Sequence, residues 1–180
     1  HQVLSSVDEG FITGDQALGG QVAEARDQYV YSGLPIDISD IVNLRQRQAD
    51  ELVARDHTSA KHSPGGIVDI EYFAQAKQIQ VGATDPSVRT PNTIQALERL
   101  AGAGSIEPDR SEALRSAYGF LRRLIDALRI VRGNAKDLTV PAPDSREFAY
   151  LARRLDYDST GSLQNTIERH MTAAASVWTG

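Results

Sequence analysis

The feature that most constrains the fold is an apolar seam between Pro108 and Arg132. Leu114, Ala117 with Tyr118, Leu121, Leu124 with Ile125, Leu128 and Val131 recur in steps of three and four. That spacing keeps one stripe of an α-helix apolar along its length. Pro108 suits a first helical position, and Asp109 with Glu112 reads as a capping box. The helix so defined is about 35 Å long. So long a stripe needs other helices to cover it, which predicts a bundle with this helix at its centre. Ala, Leu, Arg, Glu and Gln are abundant, while alternating Val, Ile and Thr are scarce. The expected fold is all-α, a helical bundle of six or seven helices around this long central helix.

The remaining helices follow from period and caps. Residues 16–31 present Val22, Ala23, Ala25, Tyr29 and Val30 as an apolar side, and Gly33 with Pro35 ends that helix. Asp37 or Ser39 caps a second helix reaching about Arg55. Ile38, Ile41, Leu44, Ala49, Leu52 and Val53 face inward there, and Arg45, Arg47, Asp50 and Glu51 face water. After a polar loop, a third helix runs from Gly66 to about Val81. Thr90 as cap and Pro91 as first helical residue open the next, lined by Ile94, Leu97, Leu100 and Ala101. Beyond the long helix, Gly133-Asn134 is a break and Leu138–Pro141 an extended crossing. Asp144 with Glu147 caps a helix lined by Phe148, Leu151, Ala152 and Leu155. Ser159 or Thr160 opens the last, with Leu163, Ile167, His170, Met171, Ala174 and Trp178.

Several function classes become improbable on composition. The 180 residues carry a net charge of −5, which argues against a general nucleic-acid binder. No run of apolar residues is long enough to span a membrane, and the first residues do not read as a signal peptide. Cysteine is absent, so disulfides and thiolate metal sites are excluded and a cytoplasmic setting is compatible.

The candidate chemistry centres on Lys61-His62-Ser63-Pro64-Gly65-Gly66-Ile67-Val68-Asp69-Ile70-Glu71. Proline and two glycines allow a sharp bend that lies close to another group. The amides at the helix start are expected to be unpaired, suiting a phosphate or carboxylate near Lys61, Gly65 and Gly66. The plain alternative is a tight loop with a solvated lysine. Asp69 and Glu71 are two apart and point to different sides of the helix. Each either stabilises the helix dipole or orients Lys61 or an arginine. Arg115, Arg122 and Arg129 recur every seven residues, as a solvated stripe of ion pairs or a docking face for another domain or partner. No histidines have metal-ligand spacing, and His170 reads as a packed helix residue. Asp156-Tyr157-Asp158 is an isolated pair of acids in a helix-ending loop; a metal-dependent helical enzyme using these acids or Asp69 is the remaining reading.

Lys61, Pro64-Gly65-Gly66-Ile67, Asp69-Ile70-Glu71-Tyr72-Phe73 and Gln75 resemble the helical domain of the glutamine synthetase adenylyltransferases. Gly14-Asp15-Gln16-Ala17-Leu18-Gly19, Asp85-Pro86-Ser87, Ala117-Tyr118-x-Phe120-Leu121-Arg122-Arg123-Leu124 and His170-Met171 extend the resemblance along the chain. Ser63 stands where the family turn has its first glycine, and Val7-Asp8-Glu9 stand where arginines are usual. The resemblance implies a helical domain at 15–180 and, at 1–14, the exit from an upstream nucleotidyltransferase domain. Its phrases look more like the deadenylylating half of the two-headed enzymes, with a single-unit relative also open. It implies an enzyme that transfers or removes AMP on glutamine synthetase in nitrogen regulation. Its partners would be the upstream domain, glutamine synthetase and a PII-type signalling protein. The Gly-Ser turn followed by Asp-x-Asp that holds magnesium and nucleotide is missing from this chain, so ATP and Mg are implied only for the full enzyme. The chain is then a non-catalytic wall of the active-site cleft, or else an interaction module that binds a signalling protein or small effector.

Overall fold

The computed structural model describes residues 14–133 and 136–178. Among the described residues there are seven α-helices and no strand: α1 Gln16–Val30, α2 Ile38–Leu52, α3 Ile67–Gly82, α4 Thr93–Gly102, α5 Pro108–Arg132, α6 Arg146–Arg154 and α7 Thr160–Ala175. Short 3-10 turns cover Pro86–Val88 and Ser176–Trp178. The all-α expectation holds. The expected exit segment, apart from Gly14, lies outside the described residues. The chain forms two compact units, His1–Ile41 with Glu71–Ser111, and Val42–Ile70 with Glu112–Gly180. No helix among the described residues is long and apolar enough to cross a membrane.

In the first unit, α1 starts where the Asp15 carboxylate accepts from the amides of Ala17 and Leu18 at 2.8 and 3.0 Å. Its expected apolar side is not buried: Val30 is in the core, but Val22 and Tyr29 are exposed. The end of α1 is fixed by Tyr31, whose ring packs on Gly82 so closely that a Cβ there would lie 2.5 Å from it. Arg89 stacks its guanidinium 4.4 Å from that ring and pairs with Asp27 at 3.2 Å. The start of α4 differs from expectation. Asn92, not Thr90, is the cap, its side chain accepting from the amide of Gln95. The reason is Gln78, whose buried carboxamide donates to the carbonyls of Val88 and Thr90 at 2.8 and 2.9 Å. Those bonds hold residues 88–90 out of the helix, and the helix begins beyond them. Ala96, Leu97 and Leu100 are then buried.

In the second unit the seam of α5 is the core, with Leu114, Ala117, Leu121, Leu124 and Leu128 all buried. Phe148 and Leu151 of α6 and Leu163 and Ile167 of α7 are buried as well. Fully burying a side chain of this size stabilises by about 1.5–3 kcal/mol. Ser145 rather than Asp144 caps α6, accepting from the amide of Phe148 at 3.0 Å. Glu147 does not close a capping box because its carboxylate pairs with Arg132 at 2.7 Å. Ser159 caps α7 in a reciprocal box with Ser162. The extended crossing finds a partner in the supposed polar loop: Ala60 donates to the Leu138 carbonyl and Val140 to that of Thr58, around a bridge between Ser59 and Thr139. His170 packs as expected, stacked on Phe120 with ring centroids 4.6 Å apart.

Candidate functional site

The glycine turn is built from its own short side chains. Ser63 accepts from the amide of Ser59 at 2.8 Å, and Ser59 accepts from the amides of Lys61 and His62. The serine that replaces the family's glycine thus closes the loop from within. Gly65 has φ +80, and a Cβ there would lie 2.1 Å from the carbonyl oxygen of Met171. Only glycine satisfies both the left-handed conformation and the close approach of α7's backbone. A Cβ on Gly66 would lie 2.5 Å from the Lys61 carbonyl.

The amides that follow are not open to a ligand, which corrects the expectation of unpaired groups. Gly66 donates to the Ser63 carbonyl, Ile67 to Ala60, Val68 to Lys61 and Asp69 to Gly66. The Gly65 amide donates to the Asp69 carboxylate at 2.6 Å. The chain folds back on its own helix start and supplies the acceptors itself.

Asp69 is 3% exposed and acts as the hub of the turn. Besides Gly65, its carboxylate accepts from Arg45 Nε at 2.7 Å and from Trp178 Nε1 at 3.2 Å. Arg45 is 4% exposed and also donates to the His62 carbonyl at 3.2 Å. Of the two expected partners, Asp69 orients the arginine and not Lys61. Arg45 was assigned to the wet face of α2, and the structure buries it, whereas Leu52 is exposed. The missed signal is its place between buried Ile41 and Ala49, four residues to either side. Glu71 is half-buried.

The turn borders two cavities of the second unit. Ser63 and Pro64 line a cleft of about 930 Å³ with His57, Arg132, Phe148 and Met171. Lys61 and His62 line a smaller one of about 330 Å³ with Arg129, Lys136 and Asp137. Lys61 and Arg129, assigned from sequence to different roles, therefore share a wall. His62 is held neutral to lower pH than an ordinary imidazole, first by burial and then by the positive charges of Lys61 and Arg45. Asp137 is held below the usual carboxylate range, chiefly by hydrogen bonds from Thr139 and also by Arg132. Arg115 pairs with Glu112 and Arg129 with Asp126, each one helical turn apart, while Arg122 is exposed. Among the described residues, no three His, Asp or Glu side chains converge as ligands for a metal ion.

Residues 43–178 match the family model described as GlnD PII-uridylyltransferase. The chain belongs to this family. It is also similar to proteins named bifunctional glutamine synthetase adenylyltransferase/adenylyl-removing enzyme. The one from Xanthomonas axonopodis is 34% identical over 140 residues, which is 76% of this chain and 15% of the relative. That from Streptomyces avermitilis is 33% identical over 153 residues, 82% of this chain and 15% of the relative. That from Cutibacterium acnes is 31% identical over 164 residues, 88% of this chain and 16% of the relative. The chain therefore spans a small fraction of the length of these curated relatives. The matches bear out the motif reading of a helical domain of the adenylyltransferase kind.

Proposed function

We propose that the chain is the helical, non-catalytic part of a nucleotidyltransferase that adds or removes AMP on glutamine synthetase in nitrogen regulation. The observation that carries this reading is the use made of Asp69. Its carboxylate is occupied by Arg45, the Gly65 amide and Trp178, so the family motif acts as a scaffold. What that scaffold presents is Lys61, on the wall of a cavity shared with Arg129. In this reading Lys61 lines one wall of an active-site cleft, and Gly65 and Gly66 form the turn that presents it. ATP and magnesium are held by an upstream nucleotidyltransferase domain, and the setting is cytoplasmic. Among the described residues no group of side chains supplies a magnesium site, and no step at the metal is assigned to them. The test measures AMP transfer to glutamine synthetase by this chain alone and by the chain joined to a nucleotidyltransferase domain. Activity only in the joined form, weakened by Lys61→Ala, is the expected result. Activity of the isolated chain would overturn the non-catalytic assignment.

A second reading, an interaction module, is favoured by the exposed apolar side chains Leu18, Val22 and Tyr29 on α1. The family model's description makes a PII-type protein the partner to try. Capture of PII by the isolated chain, lost in Val22→Asp, would support it. Equal capture by that variant would sink it.

A further inference from the structure

The smaller cavity carries an inference that the glycine turn, with its occupied amides, does not. Its wall gathers Lys61, Arg129 and Lys136, with the imidazole of His62. Asp137 also lines it, but its carboxylate accepts from the Thr139 amide at 3.0 Å and pairs with Arg132. Arg129 shares Asp126 across an exposed contact of 3.2 Å, which leaves most of its donors available. Nδ1 of His62 is buried and has no hydrogen-bond partner among the described residues. The His62 backbone is anchored at both ends, its amide on the Ser59 hydroxyl and its carbonyl on Arg45, which fixes where its side chain leaves the chain beside the cavity. The Lys61 backbone is anchored likewise, by Ser59 and by the amide of Val68. Lys61 on an anchored backbone, Arg129 with spare donors and an unpartnered imidazole nitrogen at one cavity suit an anion of matching size.

We propose that this cavity binds a phosphate group through Lys61, Arg129 and Lys136, with His62 as a further hydrogen-bonding partner. About 330 Å³ accommodates inorganic phosphate or the phosphate end of a nucleotide. The site is made of side chains and stands apart from the closed helix start. The inference rests on the reading above for the biological source of the phosphate, and on the cavity for its existence. A bound dianion offsets the positive field that Lys61 and Arg45 exert on His62, so phosphate raises the pH at which that imidazole titrates.

The experiment follows the histidine resonances of the 180-residue chain by NMR while inorganic phosphate, and separately AMP, is added at constant ionic strength. His62→Gln assigns the signal. The expected result is a saturable shift of His62 with an upward move of its titration. Lys61→Met, Arg129→Ala and Lys136→Ala should each weaken phosphate by about tenfold, the usual cost of losing one charge-assisted bond. Lys136 is exposed, so its variant tests the site without threatening the fold. Arg123→Ala, exposed on the same helix but outside the cavity, should change nothing. Tighter binding of AMP than of phosphate would assign the site to a nucleotide, and the reverse to the free ion. No shift, a shift that chloride reproduces, or an equal loss in Arg123→Ala would overturn the proposal. If phosphate fails to bind but Lys61→Ala still impairs AMP transfer in the joined protein, the functional reading survives and this inference falls. If phosphate binds and transfer ignores Lys61, the reverse holds.

Discussion

Arginine is used in two ways here, and the contrast separates what holds the fold from what its surface offers. Arg45 and Asp69 meet at 2.7 Å with both side chains 4% exposed. Arg115 with Glu112 and Arg129 with Asp126 meet at 3.1 and 3.2 Å on the surface of α5. The distances differ little, but the surroundings differ greatly. In water, the solvent already stabilises each charge and salt screens the pair. In the turn, neither charge has a solvent alternative, so each is tolerable only because the other is present. The buried pair also organises three chain segments through Gly65, His62 and Trp178, whereas each surface pair joins neighbours on one helix.

Removing one member of the buried pair is the most direct way to break this comparison. Asp69→Ala strands Arg45 and leaves the Gly65 amide and the Trp178 indole without their acceptor. It should cost about 3–5 kcal/mol of stability in urea unfolding. A loss below about 1 kcal/mol would mean that the turn relaxes to admit water. Gly65→Ala tests the same turn through its backbone. The left-handed conformation and the carbonyl of Met171 together should make it cost about 2–4 kcal/mol. Gly133→Ala is its control, since Gly133 has φ +60 but, among the described residues beyond its chain neighbours, nothing within 4 Å of an added Cβ. That variant should lose only about 1–2 kcal/mol. Equal losses would remove the close approach of α7 from the argument. Trp178→Phe sharpens the comparison further by deleting one of Asp69's three donors, for about 1 kcal/mol.

Acidification probes the charges around the turn in another way. His62 and His170 both titrate below the ordinary value of 6.5 in the folded chain, each chiefly because of burial. The unfolded chain therefore binds more protons in the window from 6.5 down to the folded values. Stability is full above that window and falls as pH drops through it. His62→Gln should flatten the slope of the urea midpoint against pH there. An unchanged slope would show that neither burial nor the charges of Lys61 and Arg45 depress the titration of the ring.

How much of this was legible in the sequence depends on how far apart the causes lie. The α5 seam is a local pattern and is legible in full, and the cap of α7 is legible to within two residues, Ser159 or Thr160, of which the structure uses Ser159. The start of α4 was misplaced because the Gln78 side chain, on another helix, holds the backbone of Val88 and Thr90. Arg45 was misread because an amphipathic pattern sends arginine to water, and only a distant carboxylate changes that. The apolar side of α1 was equally misread, since a stripe is buried only where something packs on it. The helix-start amides looked open because Ala60, Lys61 and Ser63 had no visible reason to turn their carbonyls back on them. The shared wall of Lys61 and Arg129 joins residues far apart in the chain and has no signature in either segment.

The smallest expected effect is the one that gives the surface arginines their meaning. Arg115→Ala and Arg129→Ala each remove an ion pair between residues one helical turn apart, exposed at Arg129 and half-buried at Arg115, and such a pair is worth about 0.2–0.5 kcal/mol and less at high salt. Arg129→Ala should not move the urea midpoint by more than the error of a careful measurement, and Arg115→Ala, at a half-buried residue, only slightly more. The two should nevertheless part company on phosphate, because Arg129 lines the cavity with Lys61 and Arg115 does not. An arginine that contributes almost nothing to folding, yet is required for an anion to bind, is kept for its donors. The buried Arg45 is the opposite case: its guanidinium holds the turn through Asp69 and the His62 carbonyl. If Arg129→Ala proves as destabilising as Asp69→Ala, the division between scaffold and surface fails. The cavity would then be part of the framework, with its cations serving the fold.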